Sequence, residues 1–167
     1  SDLSMAVMAN PFYLDIGFTL SQIATVTKVF GIAMTLIGAF IGGIIVLRYG
    51  VLRPLFYGAI MIASTTLMFV IQSFFGNDMN LFILTIALDN FTGGFAGTVF
   101  IAYLSSLTDP KYTATQYALF SSLMLVPGKF LSGFSGLVVD NFGYSELFLI
   151  SASLGIPAII ISYFLKK

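Results

Sequence analysis

An all-α integral membrane protein of six helices, arranged as two inverted three-helix units, is the fold this sequence predicts, and three observations predict it. The first is composition. Of 167 residues, 58% are hydrophobic and 8% charged, and the mean hydropathy is +1.01, whereas a soluble domain carries roughly 25% charged residues. The second is where the charge sits. Outside the apolar stretches the basic residues are Arg48, Arg53, Lys111, Lys166 and Lys167, all after the second, fourth or sixth stretch. The loops after the first, third and fifth hold Asp15, Asp78, Asp140 and Glu146 with no Lys or Arg. By the positive-inside rule the basic face, and the C-terminus with it, is cytoplasmic. The third is a recurrence: Gly43-x3-Leu47-Arg48-x-Gly50-x2-Arg53 and Gly136-x3-Asp140-Asn141-x-Gly143-Tyr144 share a skeleton 93 positions apart. Each closes the second helix of a three-helix unit, on opposite faces, as inverted-repeat transporters are built.

The predicted helices run over residues 1–14, 21–47, 54–75, 81–107, 113–139 and 144–165. The first apolar stretch, Leu3 to Ala9, is about half of a ~20-residue span. No basic segment precedes it, so it is not a signal peptide. Its reading is a membrane helix cut at its start, with Asp2 near what would be its middle and a stop near Asn10-Pro11. Thr19 and Ser21 are candidate N-caps for the second helix. That helix carries Lys28, Gly31, Thr35, Gly38 and Gly42, which at ~100° per residue fall within about 80° of one another. Gly38 and Gly42 form a GxxxG pair, the pattern that lets helices approach closely. Lys28 needs a partner or water unless it snorkels to the nearer interface.

The third helix is apolar all round and reads as a peripheral span holding no chemistry. The fourth sets Asp89, Thr92, Gly93, Ala96, Phe100 and Tyr103 on one face. The fifth carries Thr115, Ser122, Lys129, Ser132, Gly136 and Asp140 on roughly one stripe, with a bend expected at Pro127. A lysine facing lipid costs on the order of 3 kcal/mol, so Lys129 is expected to face protein or a water-filled path. The sixth helix should kink at Pro157.

Four ionisable residues thus lie inside spans: Asp2, Lys28, Asp89 and Lys129. They could neutralise one another as structural pairs. Alternatively, Asp2 or Asp89 exchanges a proton as a cavity changes sides, with Lys28 and Lys129 drawing in an anionic substrate. Asn90, Tyr103, Gln116, Tyr117, Ser121 and Ser122 would then hydrogen-bond its hydroxyls and amides. The chain has no Cys and no His, so it offers no thiol or imidazole metal ligands. No cofactor is implied, and a formal net charge of zero gives no pointer to nucleic acid. Gly133-Phe134-Ser135-Gly136 matches the GxSG of rhomboid-type serine proteases, but that chemistry needs a histidine base.

The loop Gly43 to Arg53, GIIVLRYGVLR, resembles the Gly-x3-Asp-Arg-x-Gly-Arg-Lys/Arg signature of the major facilitator superfamily. It departs from that signature at Leu47, where the acid should be, and at Val51. Three longer stretches, ANPFYLDIGF from Ala9, ALDNFTGGFAGTVFIAYLSSLT from Ala87 and YTATQYALFSSL from Tyr112, resemble the AmpG-type muropeptide permeases of that superfamily. More distantly they are similar to acetyl-CoA transporters of the same branch. The resemblance implies that residues 1–167 are the C-terminal six-helix half of a transporter. Its partners would be the lipid bilayer of a bacterial inner membrane, an N-terminal six-helix half, a muropeptide substrate and a proton. An acetyl-CoA or other anionic solute is the alternative, as is a non-transporting half-transporter remnant; a start codon just before Ser1 would support a remnant or a split gene.

Overall fold

The computed structural model describes residues 2–109 and 111–165, with the side chains of Asp2, Leu3, Ser4 and Thr113 outside the description. Six rods follow one another: α1 (Asp2–Asp15), α2 (Leu20–Tyr49), α3 (Leu52–Phe75), α4 (Met79–Ser106), α5 and α6. The last two are each made of two pieces, Thr113–Ser132 with Ser135–Phe142, and Tyr144–Ser153 with Ile156–Leu165. No strand occurs among the described residues, and α2 to α6 are each long and apolar enough to cross a membrane. The all-helical membrane fold read from composition is the fold observed.

The first helix does not stop at Asn10-Pro11 but continues to Asp15. Energies decide this. An internal proline costs about 3 kcal/mol, whereas burying an aromatic ring stabilises by roughly 1.5–3 kcal/mol, and two rings follow Pro11. Phe12 and Tyr13 are 0% and 3% exposed. Phe12 lies edge-on to Phe148 at 4.9 Å and Tyr13 edge-on to Phe82 at 4.8 Å. The helix then ends at Gly17, at φ +100, where Phe18 N–H donates to Tyr13 O and Gly17 N–H to Leu14 O, the paired closing bonds of a Schellman motif. Thr19 caps α2: its hydroxyl accepts Gln22 N–H while Gln22 Oε1 accepts Thr19 N–H.

Phe12, Tyr13, Phe18, Phe69, Phe82 and Phe148 belong to a cluster at the end of the bundle that carries the acidic loops. Three polar ties close the same end. Tyr144 OH donates to Asp15 Oδ2 at 2.6 Å, the Ser73 and Ser145 hydroxyls meet at 2.8 Å, and Asn77 Nδ2 donates to Gly17 O at 3.1 Å.

Along the middle, α2 lies directly on α4. A Cβ on Gly38 would sit 2.0 Å from Phe91 O, one on Gly94 2.1 Å from Thr35 O, and one on Gly42 2.9 Å from Phe95 O. The GxxxG pair of α2 therefore meets a glycine of α4 and backbone touches backbone, the packing role expected of it. The two repeat glycines end their helices alike: Gly50 (φ +75) donates to Val46 O and Gly143 (φ +94) to Val139 O.

Three local expectations are revised or extended. The third helix is not uniformly apolar at its buried face, where Thr65, Thr66 and Gln72 are buried against the neighbouring helices. The helix of α5 continues through Pro127, where a bend is expected, and an additional break falls at Gly133-Phe134, beside the Ser132-Gly133 pair that disrupts helices as prolines do. In α6 the break at Leu154-Gly155 precedes Pro157, because a proline cannot donate to the preceding turn and crowds its carbonyl.

Candidate functional site

Of the candidates, Asp89 and Asn90 border a half-open cavity of about 370 Å³ between α1 and α4, at the small end of the roughly 300–1,000 Å³ typical of ligand pockets. Its acid is Asp89, half-buried on α4. Around it stand Asn10 and Tyr13 from α1, Thr27 and Thr35 from α2, Thr65 from α3, and Asn90 and Thr92 from α4. Met5, Ile62, Phe69 and Ile86 supply the apolar wall.

Local sequence explains how these groups are held. Gly31 has no side chain, and the Asn90 amide lies where its Cβ would be, 3.2–3.3 Å away. Asn90 Nδ2 donates to Ile86 O at 2.9 Å, which fixes the amide, and its Oδ1 faces the Thr35 hydroxyl at 3.2 Å. That hydroxyl also reaches Gly31 O at 2.9 Å. The Thr92 side chain is 3% exposed and borders the cavity. Among the described residues, one carboxyl, two amides and several hydroxyls on neighbouring helices can hold a proton and hydrogen-bond a polyhydroxylated or amide-bearing solute.

Lys28 does not line this cavity; Thr27 does. The cause is a π-helical segment, Val26–Gly31, which a uniform helical wheel does not anticipate. A π turn holds one residue more than an α turn, so it slips the phase of what precedes it by about one position, ~100°. Gly31, Gly38 and Gly42 keep the buried stripe, and Lys28 is rotated off it to an exposed position. Backbone capture by threonine accompanies the slip, the Thr27 hydroxyl donating to Ile23 O at 2.7 Å and the Thr25 hydroxyl to Ser21 O at 2.8 Å.

The remaining candidates are dispersed. Tyr103 borders a second cavity, between α3, α4 and α6. Gln116 accepts Asp109 N–H at 2.7 Å and so braces the loop before α5. The hydroxyls of Ser121 and Ser122 donate to Tyr117 O and Ala118 O of their own helix. With Tyr117 and Lys129 they belong to α5, the least buried of the five long helices, and border neither cavity. Lys129 is exposed. The Asp2 side chain, like Lys166 and Lys167, lies outside the described residues. Arg48, Arg53 and Asp140 are exposed, Gly43 has open space where a side chain would be, and Gly136 faces Met8. Ser135 is buried at the first position of the second piece of α5.

The cavity residues that sequence reasoning missed as site members are Asn10, Tyr13, Thr27, Thr35, Thr65 and Thr92. For Thr35 and Thr92 the signal was present, since both lie on the faces that carry Gly31 and Asp89. Thr27, four residues before Gly31, also shares the stripe's face at ~100° per residue; what only the backbone reveals is the π segment that turns Lys28 off it.

Comparison with known proteins agrees with this architecture. The family model described as Major Facilitator Superfamily matches residues 1–167. The chain is 33% identical over 161 residues to "Putative transporter AmpG 1" of Rickettsia bellii, covering 96% of this chain and 39% of that protein. It is 36% identical over 155 residues to "Putative transporter AmpG 1" of Rickettsia prowazekii, covering 93% and 35%. To "Putative transporter AmpG 4" of Rickettsia conorii it is 30% identical over 165 residues, covering 99% and 40%. The chain thus spans about two fifths or less of the length of these relatives. Five successive helices long and apolar enough to cross a membrane among the described residues, and a family match over the whole length, lead to one conclusion: this chain belongs to the major facilitator superfamily of membrane transporters.

Proposed function

We propose that the chain is the C-terminal half of a proton-coupled importer of muropeptides, N-acetylglucosaminyl-anhydromuramyl peptides, in a bacterial inner membrane. An N-terminal six-helix half would complete the transport path, and the C-terminus would lie in the cytoplasm. The observation that carries the reading is the cavity bordered by Asp89, whose walls, among the described residues, bring one carboxyl together with hydroxyls and amides. Support for the substrate comes from the resemblance to AmpG-type permeases and from relatives whose names carry that designation.

In this mechanism Asp89 accepts the proton and the walls of the cavity hydrogen-bond the sugar and stem peptide. Asp2 is the second candidate for the proton. Lys28 and Lys129, exposed on this half, would meet the stem carboxylates from the side of the missing half. Rocking of the two halves then turns the loaded site from one face to the other.

The test is Asp89→Asn in the full-length protein, reconstituted in vesicles with an imposed pH gradient and labelled muropeptide. Gradient-driven accumulation should fall at least ~10-fold, a change of about 1.4 kcal/mol in the driving interaction, while exchange without a gradient persists. Accumulation equal to wild type would remove Asp89 from coupling. No accumulation of labelled muropeptide by wild type, together with accumulation of labelled acetyl-CoA, would reassign the substrate.

A further inference from the structure

The second cavity, of about 540 Å³, is a crevice of another character. It runs between α3, α4 and the Ile156–Leu165 piece of α6, with Met124 of α5 on one side. Its floor is made of small residues, Gly58, Gly93, Ala96, Gly97 and Ala158 among them. The Ile156–Leu165 piece packs on α3 and scarcely touches α4, with Tyr163 against Phe56 at 5.8 Å. The interruption at Leu154-Gly155 lets that piece lean away, and the crevice is the gap that results. On α4 the lining runs from Gly93 to Tyr103 and on α6 from Gly155 to Leu165. Ten residues at ~1.5 Å each make it about 15 Å long, parallel to the helices.

We infer that this crevice is a binding site for an anionic glycerophospholipid, with one acyl chain lying along the small-residue floor and the headgroup phosphate at the basic-loop end. Apolar walls at bilayer depth have no water to fill them, and an empty apolar space is destabilising in proportion to its volume. The filler at hand is an acyl chain, and the crevice runs in the direction such chains run. Its mouth then fixes the headgroup. Leu55, Tyr103 and Leu165 line that end. Exposed Arg53 stands two residues before Leu55, exposed Lys111 follows α4, and Lys166 and Lys167 succeed Leu165 in sequence. Basic residues at the cytoplasmic end of a gap between membrane helices are the chemistry that holds acidic lipid headgroups. The half-buried Tyr103 side chain is placed to hydrogen-bond a glycerol ester. A second protein helix would need a wider groove and gains nothing from the cationic rim.

The experiment is native mass spectrometry of the full-length protein after graded delipidation, with phosphatidylglycerol and phosphatidylcholine added in equal amount. Wild type should retain one tightly held phosphatidylglycerol. A Cβ on Gly97 meets nothing within 4 Å, so Gly97→Leu fills the crevice without parting the helices and should abolish retention, as should Ala158→Phe from the opposite wall. Arg53→Gln should keep the lipid but lower the preference for the anionic headgroup by about fivefold, the effect of one basic residue at a membrane surface. Undiminished phosphatidylglycerol in both filled variants, or equal retention of the two lipids by wild type, would overturn the inference. So would displacement of the lipid by muropeptide, which would make the crevice part of the transport path. Lipid retention is read without transport, so the result stands apart from the fate of the muropeptide reading.

Discussion

The contact between α2 and α4 permits a sharp prediction for Gly38→Ala. The added methyl would lie 2.0 Å from Phe91 O, against a comfortable carbon–oxygen separation of about 3.3 Å, so the helices must part by about 1.3 Å along this stretch. A gap of 0.5–1 Å already forfeits about a quarter to a half of a dispersion contact. The displacement also stretches the Thr35–Asn90 contact, now 3.2 Å. Against this, Ala is intrinsically better than Gly in a helix by about 0.5–1 kcal/mol. Overpacking costs about 1–3 kcal/mol where side chains yield, and here the obstacle is backbone, so the net loss should reach about 2–3 kcal/mol. Gly43→Ala is the internal control, because a Cβ there meets nothing within 4 Å and only the propensity gain remains. The assay is thermal stability of the full-length protein in detergent, read as loss of the monodisperse chromatographic peak. A Gly38→Ala midpoint equal to that of Gly43→Ala would refute the close approach of the two helices.

Phe12→Ala should destabilise by about 3–5 kcal/mol, the range for deleting a buried ring, because Phe12 is 0% exposed and meets Tyr144 and Phe148; denaturant titration in detergent measures it, and a loss below 1 kcal/mol would contradict the cluster. Thr85→Val should raise the thermal midpoint, since the Thr85 hydroxyl is fully buried and has no hydrogen-bond partner among the described residues, and an unsatisfied buried group costs about 1–3 kcal/mol; a lower midpoint would show that the hydroxyl has a partner. The π segment is tested by single cysteines: substrate should protect Thr27→Cys from thiol reagents and leave Lys28→Cys unaffected, and the reverse pattern would restore an uninterrupted α-helix.

Membrane class and helix order were legible because they rest on sums over many residues: an apolar average, and basic residues gathered into alternate loops. The glycine stripe of α2 was legible for the same reason, since three of its members obey one period over Gly31–Gly42. What escaped depended on single backbone events. No residue between Val26 and Gly31 announces a π turn, and that turn takes Lys28 off the cavity. Pro11 looks like a break in sequence and Pro127 like a bend, yet the rings after Pro11 outweigh its cost, and the chain breaks at Gly133, beyond Pro127. On α3, Thr65 and Gln72 vanish into a high average hydropathy, although Thr65 reaches the polar cavity. Ser121 and Ser122 are lost to the site for a similar reason: short polar side chains on a helix bond the backbone nearest them before anything farther away.

The tie between Asp15 and Tyr144 spans 129 positions, and Phe12 finds Phe148 in the same place. At a synthesis rate of about 5–20 residues per second, the first helix leaves the ribosome roughly 6–26 s before its lock. During that interval Pro11 weakens a helix whose Phe12 ring still lacks Tyr144 and Phe148, although Phe69 and Phe82 are already there for Tyr13. Biogenesis therefore has a waiting stage in which α1 rests on whatever the insertion machinery or the lipid supplies, and a chain stopped after α5 should be taken by membrane proteases from that end.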